Sequence, residues 1–241
     1  MVRSIRADLH IHTALSPCAS EEMRPPAIVR EALKKGLDMI AICDHNTAGN
    51  VKATQTAAAG YLTVIPGIEI TTAEEVHVLG LFPSSEEATA IATEVRNTLP
   101  IACRGEEQPL LDHRGRITGW ESKMLYGASS YSLDETVRFI KKHGGLAVAA
   151  HVNRKAFSVI GQLGFLPDDV GFDALEVSAA CVSSWNYERY LSTGKSILTG
   201  SDSHYLEDIG SSCTRLDVLE PTFVELAEAI RGTGGRRCRI A

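Results

Sequence analysis

Asp8-Leu9-His10-Ile11-His12-Thr13 opens the first regular unit of the chain, and the rest of the fold follows from how this stretch is read. Side chains alternate faces along an extended strand, so His10 and His12 share one face. Leu9 and Ile11 take the other, toward whatever layer covers the strand. Two imidazoles on one strand face make a poor core and a good pair of ligands for one divalent metal. Working outward, Pro25-Pro26 starts a helix where a missing N–H does no harm, and Gly36 supplies its left-handed stop. Asp38-Met39-Ile40-Ala41-Ile42-Cys43 then reads as a buried strand that ends in Asp44-His45-Asn46-Thr47. One strand–helix–strand unit of this kind implies parallel strands.

The pattern recurs along the chain. An Ala-rich helix over 51–59 precedes a strand over 62–70, and a second strand runs over 76–82. Residues 84–98 read as an exposed acidic helix, and 100–131 as polar, turn-rich sequence with a short hairpin. Ser132-Leu133-Asp134-Glu135 has the spacing of a capping box and opens the next helix, which ends at His143-Gly144. Buried strands follow at 146–150, 173–177 and 197–200, with helices over 187–191 and 221–231. About seven strands interleaved with helices predict an α/β barrel or open sheet. With 241 residues and 44% hydrophobic content, the chain is expected to form a single domain over 1–241, with a loop-rich insertion around 84–131.

Composition narrows the class further. Six scattered cysteines without a Cys-x-x-Cys pair form neither a disulfide framework nor a zinc ribbon, which predicts a reducing cytoplasm. No apolar leader and no membrane span is legible, so no membrane partner is expected. A formal net charge of −6 disfavours nucleic acid as a partner.

The candidate chemistry collects at strand ends. His10 and His12, Asp44 and His45, Glu69, His77, His151, and Asp202 and His204 all lie at or just past apolar runs. In barrels and open α/β sheets the C-terminal strand edge is where sites assemble. Asp202-Ser203-His204 repeats the i, i+2 arrangement of the first strand. Imidazole and carboxylate without clustered thiolates suit zinc, manganese or iron. Eight or nine candidate ligands against roughly four to six per ion predict two or three divalent ions, since a carboxylate such as Glu69 can bridge.

Read together, Asp8-Leu9-His10-Ile11-His12-Thr13, Ala41-Ile42-Cys43-Asp44-His45-Asn46, Gly67-Ile68-Glu69, His77, Ala150-His151 and Gly200-Ser201-Asp202-Ser203-His204 resemble the PHP (polymerase and histidinol phosphatase) phosphoesterases. The resemblance implies a distorted seven-stranded (β/α) TIM-like barrel with metals at the strand C-terminal ends. It also implies that His10, His12, Glu69 and Asp202 hold one metal and form the catalytic core. Glu69, His77 and His151 would hold a second, and His45 and His204 a third together with a residue of the first loop. There the sequence departs from the family: Cys18 stands where the family usually offers His or Asp, and it is either a thiolate ligand or a plain loop thiol. Asp44 becomes a partner of a ligand or an alternative ligand.

The expected reaction is hydrolysis of a small phosphomonoester, histidinol-phosphate-like or nucleotide-like, by hydroxide generated on clustered dications. Arg154, just after His151, is the candidate substrate contact, with a solvated loop pair Arg154-Lys155 as the plain alternative. Two competing functions stay open: a nuclease acting on phosphodiesters, and a metal-binding module of structural or regulatory role with little turnover.

Overall fold

A computed structural model describes residues 1–183 and 187–240. Its first half runs β1 (Arg3–Ile11), α1 (Pro25–Lys34), β2 (Met39–Ile42), α2 (Val51–Ala58), β3 (Thr63–Thr71), β4 (His77–Leu81) and α3 (Ser85–Thr98). A hairpin of β5 (Gln108–Leu111) and β6 (Ile117–Glu121) follows, then α4 (Leu133–Lys142), β7 (Leu146–Ala149), α5 (Val159–Leu163) and β8 (Ala174–Val177). The chain ends with α6 (Ala179–Ser183), α7 (Glu188–Leu191), β9 (Ser196–Thr199), β10 (Thr214–Val218), α8 (Phe223–Arg231) and β11 (Arg237–Ile240).

Nine strands make one sheet in the order β11-β10-β1-β2-β3-β4-β7-β8-β9, which curls into a nearly closed α/β barrel. The sheet therefore exceeds the seven-strand expectation. The additions are β10 and β11, an antiparallel pair laid against β1. Parallel pairing holds for β1-β2, β2-β3, β7-β8 and β8-β9, as the strand–helix–strand units require. β4 is antiparallel to both its neighbours. At the seam, Thr199 N–H donates to Thr214 Oγ1 at 2.8 Å, and that hydroxyl donates back to the Thr199 carbonyl at 3.0 Å. A side chain closes the barrel where the strand ladder does not.

Apolar residues sort into two layers. Inside the barrel lie Ile5, Ala7 and Leu9 of β1, Met39 and Ala41 of β2, Leu79, Val148 and Leu198, with Leu226 and Ile230 of α8 packed among them. Helix α8 plugs the barrel bottom: Thr63, which starts β3, donates to the Pro221 carbonyl, and Ser196, which starts β9, donates to that of Ile230. Between sheet and outer helices lie Ile11, Ile28, Ile40, Ile42, Ile91, Val137 and Ile140. Simple alternation along β1 thus fails at one point. Asp8 pairs with Ile40 and Ile11 with Ile42, so β1 carries one extra residue, a bulge. Leu9 consequently faces the inner core instead of opposing His10, while Ile11 faces the helices.

The segment 84–131 is more regular than its composition suggests. Ala88, Ile91, Ala92 and Val95 of α3 are buried, so this helix is half core and half acidic surface. The hairpin that follows turns on Asp112, which accepts from the backbone of Arg114 and Arg116. Asn50 Oδ1 accepts Leu111 N–H, and Asn46 Nδ2 donates to the carbonyls of Leu125 and Gly127, fastening the segment to the β2-α2 loop. The capping box at α4 forms as its spacing predicts, with Ser132 and Glu135 each accepting the other's backbone N–H. Among the described residues no helix is long and apolar enough to cross a membrane.

Thr214→Val tests the seam. The substitution keeps the shape but leaves the Thr199 N–H without a partner, which costs about 1–3 kcal/mol. The expected result is a lower urea midpoint at unchanged slope.

Candidate metal centre

The β1 bulge delivers His10 and His12 to the C-terminal mouth of the barrel, both fully buried. Asp44 and His45 follow β2, Glu69 sits near the end of β3, and His151 follows β7. Asp202 and His204 follow β9. His77 corrects the rule that the site residues sit at C-terminal strand ends. It is the first residue of β4, and because β4 runs antiparallel, that start lies at the same mouth.

Glu69 is the centre of the arrangement. Its carboxylate lies 2.9 Å from His45 Nδ1 and from His77 Nδ1, 3.3 Å from His151 Nε2, 3.5 Å from His10 Nε2 and 3.4 Å from His12 Nε2. Burial acts to raise its pKa, but His77, His10 and His45 outweigh it and hold the carboxyl well below the usual range. Asp202 is driven down in the same way, burial being overcome by His10 and a hydrogen bond from His12.

Three of the imidazoles, those of His10, His12 and His204, have their orientation fixed from behind. Glu176 on β8 takes His10 Nδ1–H at 3.0 Å and also accepts His151 N–H at 3.1 Å. Ser16 Oγ donates to Asp44 at 2.7 Å and must therefore accept from His12 Nδ1 at 2.9 Å. His204 Nδ1 donates to the Asp202 carbonyl at 2.8 Å. These bonds assign the protons of these three rings and turn their Nε2 atoms inward, whereas His45 and His77 meet Glu69 through Nδ1.

The donor set fits a metal. With both Nδ1 atoms committed, neutral His10 and His12 present two lone pairs 3.2 Å apart, an arrangement that a cation resolves. Glu69 Oε2 and His151 Nδ1 are buried without a hydrogen-bond partner, although Glu69 Oε2 is crowded by imidazoles. Three groups bring their ligand atoms within 4.8 Å of one another: His10, His12, Glu69 and Asp202; His45, Glu69 and His77; and His12, His45 and His204. Without an ion the proteins' own charges take over. Burial works against protonation of His10, yet Glu176, Asp202 and Glu69 hold its pKa well above normal. His12 goes the other way, to about 3, through burial and the neighbouring His45.

The sequence-derived residues thus meet in one place, with three refinements. His151 joins through Glu69 alone. Cys18 lies outside the three groups, exposed at the rim. Burial alone would raise its thiol, but hydrogen bonds with His204 and His45 bring it down to about 7. Asp44 spends both oxygens on Thr13 N–H, Thr13 Oγ1 and Ser16 Oγ, each at 2.7 Å, so it orders the first loop and belongs to no donor group. Sequence reading missed Glu176 and Ser16. A signal existed for Glu176, a carboxylate inside the apolar run Ala174-Leu175-Glu176-Val177; none marked Ser16.

A cleft of about 460 Å³ opens on the donors, lined also by Arg154, Lys155 and Phe157. Arg154 pairs with Asp202 across it. A second cleft of about 450 Å³ adjoins, sharing His151, Arg154 and Asp202 and adding Asn153, Ser178 and Ser201. His151 and Asp202 both take positive φ, 30° and 50°, backbone strain at the points where these residues turn inward.

A barrel mouth of this kind defines a metal-dependent phosphoester hydrolase. The chain belongs to the PHP domain family: the PHP domain model matches residues 8–144, and a PHP-associated model matches residues 188–233, which include Asp202 and His204. It is 28% identical over 184 residues to an uncharacterized protein of Methanocaldococcus jannaschii, covering 72% of this chain and 81% of that one. It is 28% identical over 173 residues to the 5'-3' exoribonuclease Rnm of Salmonella typhimurium, covering 66% of this chain and 56% of that one. In fold it is similar to the lesion-specific endonuclease Q of Pyrococcus furiosus, with a TM-score of 0.78 at 22% identity, covering 98% of this chain and 58% of that one. Endonuclease Q in complex with a 27-mer duplex bearing an abasic lesion at the active site matches with a TM-score of 0.70 at 20% identity, again over 98% and 58%. The chain therefore spans little more than half the length of the exoribonuclease and of endonuclease Q.

These relatives overturn the expectation that nucleic acid is disfavoured as a partner. Net charge sums the whole surface, whereas a phosphate chain is met only where it docks. Carboxylates such as Glu69 and Asp202 count toward the acidic total yet face the metal centre.

Glu176→Gln should weaken metal binding by about 10–100-fold and also lower the metal-free melting temperature, since it removes the charge that pairs with buried His10 when no ion is bound. Titration calorimetry measures this. Gly200→Ala should have a similar effect, because a Cβ there would lie 2.6 Å from Glu176 Oε1 and 2.9 Å from His10 Cβ.

Proposed function

We propose that this chain hydrolyses phosphodiester bonds in nucleic acid. The observation that carries the reading is the pair of clefts meeting at His151, Arg154 and Asp202. A phosphomonoester has one organic arm and needs one cleft; a phosphodiester has two, and room on both sides of the reacting phosphate suits it better. The named activities of the exoribonuclease and endonuclease relatives support the same choice over a small phosphomonoester.

In this reading His10, His12, Glu69 and Asp202 hold one ion, and Glu69, His77 and His151 hold a second with His45 close by. His45 and His204 hold a third, with Cys18 at its rim, while the single free lone pair of His12 serves the first ion. Divalent ions bound there supply an activated water and neutralise charge on the phosphoryl oxygens. The chain does the positioning. Glu176 and Ser16 fix which imidazole nitrogens face the substrate, and the apolar floor beneath His10 excludes bulk water. Arg154 holds Asp202 in place and offers its remaining guanidinium nitrogens to a phosphate in either cleft, where a fork of donors matches phosphate geometry. Lys155 adds a second cation to the same rim.

The test is a cleavage panel of RNA, single-stranded DNA, lesion-bearing duplex, bis-p-nitrophenyl phosphate and small phosphomonoesters, with Mn²⁺ or Zn²⁺ added. Oligonucleotide and diester cleavage is expected, lost on chelation with the fold intact by circular dichroism. His10→Ala should lower kcat/KM by at least about 100-fold, equivalent to about 2.7 kcal/mol of transition-state stabilisation. Phosphate release from monoesters with every diester left intact would refute the diester reading. Metal content resolves Cys18: Cys18→Ala should lose one equivalent if the thiol completes the third site, and none if it is only a neighbour.

A further inference from the structure

Away from the metal centre, the outward face of β1, β10 and β11 concentrates cations. Arg6 on β1 pairs in register with Arg215 on β10, and Arg215 with Arg239 on β11, so three arginines form one cross-strand row. In the next row Ser4, Asp217 and Arg237 line up. Asp217 is shared between Arg237 at 2.8 Å and Arg239 at 2.6 Å. Arg6 donates a guanidinium nitrogen to the Lys35 carbonyl and its backbone N–H to Asp38. Among the described residues Arg215 has no carboxylate partner, and Arg215, Arg237 and Arg239 are exposed. Like charges directly opposite one another weaken a sheet. A row of three in a chain of net charge −6 is a local reversal that the fold does not need.

The row connects to the metal centre. Arg6 also lines a cleft of about 590 Å³ along the seam, with Gly210, Ser211 and Ser212. Ala179 and Ala180 wall that cleft and also line the second cleft beside the metal centre. The second cleft in turn shares His151, Arg154 and Asp202 with the first. Three concavities thus run in series from the donor set to the arginine row.

We infer that this series is a track for the phosphodiester backbone of a nucleic-acid strand, with its scissile bond at the metal centre and its more distant phosphates held by Arg6, Arg215 and Arg239. It rests on the nuclease reading above and adds where the strand runs. Guanidinium forks bind phosphates in pairs of hydrogen bonds, and each phosphate neutralised releases counterions. Hydroxyls of Ser211 and Ser212 offer sequence-independent contacts in between.

The test compares wild type with the double variants Arg215→Glu/Arg239→Glu and Arg215→Ala/Arg239→Ala, whose exposed side chains leave the core untouched. Fluorescence anisotropy follows binding of single-stranded RNA, single-stranded DNA and lesion-bearing duplex, in lengths of about 4 and about 20 nucleotides, across a salt series. The expected result is at least a 10-fold loss of affinity for the longer ligand in the Glu variant and a smaller loss in the Ala variant, with the salt slope falling by about 0.7–0.9 per contact removed. Binding of the short ligand and hydrolysis of bis-p-nitrophenyl phosphate, which reach only the metal cleft, should be unchanged. Which ligand loses most identifies the nucleic acid that follows the track. Equal binding of the longer ligands by variant and wild type, in a protein that still cleaves oligonucleotides, overturns the track and leaves the nuclease reading standing. A wild type that hydrolyses the small diester but neither binds nor cleaves any oligonucleotide overturns both.

Discussion

One fully buried carboxylate, Glu69, lies within reach of five imidazoles, and the upper half of the barrel is arranged around that fact. An isolated charge in such a place would cost several kcal/mol and would take up a proton instead. Here the histidines hold it ionised. They do so with ring nitrogens that crowd a shared space: His10 Nε2 and His12 Nε2 lie 3.2 Å apart while the Nδ1 of each ring is committed behind it. A protein that used these groups only for internal pairing would align them as donors and acceptors. Convergence without mutual satisfaction is the arrangement of a site built for cations.

The backbone bends to serve that convergence. A regular β1 would alternate Leu9 against His10, and the extra residue in β1 instead lets Leu9 fill the inner core directly beneath the imidazoles. The antiparallel course of β4 brings His77 to the mouth at the start of a strand. Gly200 lacks a Cβ where His10 and Glu176 meet, and Gly67 does the same for the Ile42 carbonyl and Cys43 Sγ. The bulge in β1, the start of β4, Gly67 and Gly200 each lie within a residue or two of a donor. Bulges and small residues at such places are how a sheet re-aims side chains without giving up its core.

Much of this was legible in the residue order. Periodic apolar runs broken by Gly36, Gly144 and Pro25-Pro26 located the strand–helix units, and polar residues at the ends of those runs located the donors, because burial of both kinds is dictated locally. What the sequence hid was set by distant partners. β10 and β11 are short and charged on one face, so nothing in Arg215 or Arg239 announces a strand; pairing with β1 makes them one. Ser16 carries no mark of its role, since it matters only because the β1-α1 loop folds it between Asp44 and His12. The register slip in β1 was likewise invisible, as it depends on β2.

Net charge misled for a related reason. It is a property of the whole chain, whereas recognition of a phosphate backbone depends on where each charge stands. Carboxylates that make the total acidic include Glu69, Asp202, Glu176 and Asp44, which lie at or behind the metal centre, three of them buried there. Arg6, Arg215, Arg237 and Arg239 are gathered on the outward face of β1, β10 and β11, where Asp217 is shared by Arg237 and Arg239. Inward acid to hold cations and outward base to hold anions are compatible in one sheet because the low-dielectric barrel wall separates them, while water and salt screen the outer face over about 8–10 Å. A sum over both faces cancels the two features that matter. Strand parity keeps them apart: Arg6 and Asp8 face outward, and the bulge that follows turns His10 inward, so one strand carries both faces and the bulge is where it changes from one to the other.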